Sequence, residues 1–171
     1  MHRKVGSDLS DQHVTDKTNF TSKLQYDEFV NEVIHLAKHE LRIFENELGS
    51  SYNASARHDA LRQFLLASRR NKVRIVVHDA TKIDRFCPRM KLLMRSFSHA
   101  VTIHETQQQA KGVYDPFVVA DEAHSVRLFH FDNLRGLFAK DDPIEASTLA
   151  ERFEEIWEAS TPAVTVNTLG L

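Results

Sequence analysis

The chain has 171 residues, 42% of them hydrophobic and 27% charged, which suits one globular domain and excludes a fibre or a wholly disordered polymer. Its 22 Lys and Arg against 24 Asp and Glu leave a formal charge of -2, so no chain-wide field drives it toward nucleic acid or an anionic membrane. The lone cysteine, Cys87, excludes an internal disulfide framework and a cysteine-built zinc cluster, and fits a reducing, cytoplasmic setting.

Residues 1–25 have a basic start but no apolar stretch, so they read as a disordered polar arm rather than a secretory signal. Residues 26–171 read as a single domain. No apolar run approaches the roughly 18 residues of a membrane span.

From Tyr26, the apolar positions Phe29, Val30, Val33, Ile34 and Ala37 recur with helical spacing and predict an amphipathic helix. Leu41 and Ile43 alternate with polar neighbours in a short strand, followed by the turn-forming Gly49-Ser50-Ser51. Asn53 or Ser55 is placed to cap a second helix, striped by Leu61, Phe64 and Leu65 and ending in Arg69, Arg70 and Lys72. The β-branched run Val73–Val77 predicts an interior strand ending at His78-Asp79. Pro88 divides Thr81–Phe97 into two short helices, because proline cannot donate within a helix ladder.

Ala100–His104 predicts another strand. Phe117–Ala120 and Ser125–Phe131 then form an antiparallel hairpin around Asp121–His124. After Asp141-Asp142-Pro143, the residues Ala146, Leu149, Ala150, Phe153, Ile156 and Trp157 mark one face of a long helix, which Pro162 ends. Ala163–Leu171 is read as an edge strand. The alternation predicts an α/β fold with a mixed, mainly parallel central sheet flanked by helices on both faces.

The late segments carry a resemblance. Tyr114-Asp115-Pro116 with Asp121, then Leu128-Phe129-His130-Phe131-Asp132, Asp141-Asp142-Pro143 and Phe153–Trp157, are similar to one catalytic half of the phospholipase D superfamily. That family carries H-x-K-x4-D on the first of these segments. Here Tyr114 stands at the nucleophilic histidine, Pro116 at the phosphate-clamping lysine and His130 at the asparagine, while Asp121 is kept. Phosphoryl transfer of that kind needs an imidazole to attack phosphorus and fixed cations around the phosphoryl oxygens. A phenol and a proline supply neither, so the resemblance implies a catalytically defective relative. Family members with a single half pair two copies across a two-fold axis, which implies a homodimer.

The resemblance gathers Tyr114, Asp115, Asp121, Arg127, His130, Asp132 and Arg135 at one end of the sheet, beside His78 and Asp79. There they would form a binding site for a phosphate-containing ligand, with His130 as the catalytic candidate. The leading reading is a binding or interaction module that keeps an anion site. The alternative is a phosphodiesterase rebuilt around His130, with His78 assisting; a third is an acyltransferase. The nearest approach to that family's cofactor loop, Asn133–Phe138, ends in Phe138 where a small residue is needed.

No cofactor and no metal site is expected. Of ten histidines only His35 and His39 have the spacing of two ligands on one helix face, and they read as solvated. The cations from Arg69 to Arg95 read as a solvated or salt-bridged face rather than a nucleic-acid surface. Cys87, despite Arg85 and Arg89 nearby, reads as packing.

Overall fold

In a computed structural model, residues 15–129 and 133–163 are described. The strands are β1 (Asp16–Phe20), β2 (Glu40–Glu47), β3 (Lys72–Asp79), β4 (Val101–Thr106), β5 (Phe117–Ala120), β6 (His124–Phe129), β7 (Arg135–Lys140) and β8 (Ser160–Pro162). The helices are α1 (Lys23–Leu36), α2 (Ser55–Ala67), α3 (Ile83–Phe86), α4 (Pro88–Ser96) and α5 (Pro143–Glu158).

Local chemistry sets the helix starts. Ser22 caps α1 by accepting the Gln25 N–H at 3.2 Å, and Asp142 caps α5 by accepting the Glu145 N–H at 3.1 Å. Pro88 and Pro143 each open a helix, where a missing N–H costs nothing. The cap expected for α2 is absent: Ala54 occupies that position, and a 3-10 turn over Ser50–Asn53 leads in instead.

All eight strands join one sheet in the order β1-β7-β6-β5-β2-β3-β4-β8. Only β2–β3 and β3–β4 are parallel; the other five neighbouring pairs are antiparallel. The expected mainly parallel sheet is therefore corrected to a mixed, mostly antiparallel one. The helix-connected strands β2, β3 and β4 run parallel, as crossovers require, while the short turns after β5 and β6 reverse the chain.

The correction comes from strands at the two edges of the sheet. Asp16–Phe20 pairs with β7 over five positions, and α1 starts at Lys23, so residues 16–25, expected within a disordered arm over residues 1–25, are strand and helix; residues 1–14 lie outside the described residues. Phe20 is the anchor: it is buried in the main core and lies across from Gly136, where any Cβ would overlap its ring. β7 itself was not expected, because Arg135–Lys140 is short and its alternation is broken by Gly136. At the other edge the strand is Ser160–Pro162, not the expected Ala163–Leu171, of which only Ala163 is among the described residues.

Each face of the sheet carries its own core. Val30, Val33, Leu61, Phe64, Met90 and Leu93 from α1, α2 and α4 cover Leu41, Ile43, Val73, Ile75 and Ile103. On the opposite face Ala146, Leu149 and Phe153 of α5 cover Phe44, Val76, Phe117 and Val119. Cys87 is fully buried with its thiol donating to the Leu48 carbonyl at 3.1 Å, and burial raises its pKa, so it packs rather than reacts.

Candidate functional site

The two ends of β5 separate the residues that the resemblance gathers. Asp121 follows its last residue, in the left-handed region at φ 59°. Its carboxylate accepts the backbone N–H groups of Lys38, His39 and Glu40 at 2.9, 2.8 and 2.9 Å, and its own N–H donates to the Glu40 carbonyl. Asp121 thus pins the start of β2. Tyr114 and Asp115 precede β5, at the end of β2, where the Asn46 side chain donates to the Tyr114 carbonyl. The four residues of β5 span roughly 13 Å, and the Asp121 carboxylate is taken up at the start of β2 while Tyr114 lies at its end, so the two share no site.

His78 does stand beside Tyr114, with ring centroids 6.2 Å apart. Its Nε2 donates to the Val113 carbonyl and its Nδ1 meets Thr106 Oγ1 at 2.7 Å. A carbonyl only accepts, so the tautomer is fixed and both ring nitrogens are bonded within the chain. Arg127 is held by Glu145 of α5 at 3.3 Å and lies over the Phe129 ring. Arg135 is exposed at the start of β7. His130 and Asp132 lie outside the described residues.

Tyr114, Asp115 and Pro116 wall a cavity of about 640 Å³. Its other walls come from α1, from the end of β2 with the 3-10 turn, and from Leu128, Phe129 and Leu134. The volume is that of a small-molecule site.

Glu45 of β2 lines this cavity yet is only 7% exposed. The Tyr26 and Tyr52 hydroxyls both donate to its Oε1, at 2.8 and 3.1 Å. Burial raises the Glu45 pKa from 4.5 to about 6, against the lowering effect of those hydrogen bonds and of Lys23 and Arg57. Burial and the Glu45 charge together push both phenols well above their usual 10, so they remain donors. Arg57 is fully buried with its guanidinium 4.5 Å from the centre of the Tyr52 ring. It donates to Asn31 and to the Asp27 carbonyl, but not to Glu45.

Sequence reading missed this cluster. The signal was present: Leu41, Ile43 and Glu45 share one face by the two-residue period of a strand, which puts a carboxylate on the apolar face. Tyr26, Tyr52 and Arg57 come from separate elements, and their meeting is a tertiary event.

The cations expected to form a basic face are divided. Arg74 lies on the α5 face, bonded to Glu40 and Glu154 and stacked over Phe153 and Trp157. Lys82 pairs with Glu47 and Lys91 with Asp84, while Arg69 and Arg70 are exposed. Among the described residues no helix is long and apolar enough to cross a membrane.

The fold is similar to that of phospholipase D family members of known structure. Nuc, a phospholipase D family member from Salmonella typhimurium, superposes with a TM-score of 0.63 at 16% identity, over 87% of this chain and 98% of its own. NucT from Helicobacter pylori gives 0.58 at 12% identity, over 87% and 99%. TrmBL2, an archaeal chromatin protein described with a novel mode of DNA binding, gives 0.65 at 11% identity, over 86% of this chain and 54% of its own. At these identities the likeness is one of fold. The chain belongs to the family described as Domain of unknown function (DUF7931), whose profile matches residues 22–169. No curated protein matches the sequence.

Proposed function

We propose that this chain is a catalytically defective phospholipase D-like module that binds a small molecule in the cavity beside Tyr114 without hydrolysing it. The supporting observation is the wall itself: Tyr114, Asp115 and Pro116 border the cavity in place of a nucleophilic imidazole and a clamping ammonium. A phenol is a poorer nucleophile than an imidazole at neutral pH, and proline has no side-chain donor. His78 has both ring nitrogens bonded internally, which supports the same reading.

An anion site finds little support. Among the described lining residues Lys23 is the one cation, and it bonds Asp27 at 3.0 Å. Pairing of two copies, as in single-half members of the superfamily, belongs to the same proposal; sedimentation at the mass of one chain at high concentration would remove it.

The test is incubation with bis(p-nitrophenyl) phosphate from acid to alkaline pH, for wild type and His130→Ala. The expected result is no release of nitrophenolate by either. Turnover by the wild type that disappears in His130→Ala would overturn the proposal in favour of a rebuilt phosphodiesterase.

A further inference from the structure

Among the charged groups in the cavity wall, most are already matched. Asp27 is bonded to Lys23 and lies 3.9 Å from Arg57, and Glu47 is bonded to Lys82 at 2.7 Å. Glu45 and the half-buried Asp115 have no cation bonded to them among the described residues. In Glu45 both phenols converge on Oε1, and no hydrogen bond from a described residue reaches Oε2. This nine-tenths-buried carboxylate, with one oxygen free of hydrogen bonds from the described residues at the wall of an open cavity, offers an acceptor to a donor arriving from outside.

We propose, on the basis of the binding reading above, that the occupant is a small organic cation. Its ammonium group bonds Glu45 Oε2, and its apolar body rests on Leu128, Phe129 and Leu134. Three features select this chemistry. The free wall charges are negative, which disfavours a phosphate. Among the described residues no three His, Cys, Asp or Glu side chains converge as metal ligands, which disfavours a bare metal ion. Tyr114, exposed and with no guanidinium over its ring among the described residues, lines the same space, and a cation is attracted to an aromatic ring as well as to a carboxylate.

The inference carries a sign for pH. Glu45 faces Lys23, Tyr26 and Asp27 from α1, Tyr52 from the 3-10 turn and Arg57 from α2, with Glu47 and Asp115 in the same wall. Among these, Glu45 has a pKa raised to about 6. A cation binds the ionised form, so affinity rises as pH rises through that value and levels above it.

The experiment titrates the full chain with phenethylammonium, phenethyl alcohol and phenyl phosphate, following backbone amide NMR signals. The ammonium is expected to move signals around Glu45 and Asp115, and to bind about 10-fold or more tightly than the alcohol, as a charge-assisted hydrogen bond provides. Glu45→Gln keeps an acceptor for both phenols; it should lose about tenfold in ammonium affinity and all of the rise with pH. Asp115→Asn, away from the core, should weaken the ammonium without altering the pH profile. Equal affinity for alcohol and ammonium, or tighter binding of phenyl phosphate, in the cavity would overturn the cation while leaving the binding module standing. No shift at the cavity with any of the three would overturn both.

Discussion

The two ends of β2 each hold a carboxylate supplied with hydrogen-bond donors, and the two are used differently. At the start of the strand Asp121 takes three backbone N–H groups and returns its own N–H and carbonyl to Glu40 and Arg42. Nothing there awaits a ligand. At the end of the strand Glu45 takes two phenols on one oxygen, lines a cavity, and has its proton affinity raised by burial. A carboxylate whose donors are all backbone N–H groups is therefore structural, while the one at the cavity wall has the character of a site.

The largest effect expected from breaking this contrast is at the closed end. Asp121→Ala leaves three N–H groups without their acceptor and places alanine at a positive φ, so stability should fall by about 3 kcal/mol in denaturant unfolding. A loss below about 1 kcal/mol would mean that water replaces the carboxylate. At the open end, Gly136→Ala should destabilise by about 2 kcal/mol, because the new methyl must displace Phe20, and β1 should become the first segment to exchange its amides.

Glu45→Gln should act in the opposite direction. The folded pKa of about 6 lies above the ordinary 4.5, so the folded state holds the proton more tightly. The contribution of Glu45 to stability is then greatest below pH 4.5 and falls as pH rises to about 6. The 1.5-unit difference corresponds to at most about 2 kcal/mol, which the glutamine variant should recover at neutral pH in thermal or denaturant melts. A variant no more stable than wild type would show that Glu45 is better compensated than its surroundings indicate.

The smallest effect is at His104, stacked 3.6 Å from Trp157 with Nδ1 on Ser160. Burial first, then Arg74, lowers its pKa below 6.5. Its contribution is therefore intact above that value and lost as pH falls through the ordinary histidine range, the reverse of Glu45. His104→Phe should keep the stack and reduce the loss of stability on mild acidification, measurable as a shallower change of melting temperature with pH.

Much of the fold was legible locally. The periodicity of α1 and α5, the β-branched run of β3, the break at Pro88 and the hairpin of β5 and β6 each arise from residues close in sequence. Asp121 and Tyr114 are close in sequence, yet β5 carries the chain between them to opposite ends of the sheet.

The sequence by itself determined which segments become helix or strand and which face of each is apolar, because those are matters of spacing over a few residues. Only the tertiary structure decided the direction of most strand pairs, since β1 and β7 lie more than a hundred residues apart and pair around Phe20 and Gly136. It also decided the cavity. Glu45 becomes a strained proton acceptor only when α1 brings Tyr26, the 3-10 turn brings Tyr52 and α2 brings Arg57 against it, excluding the water that would otherwise solvate its charge.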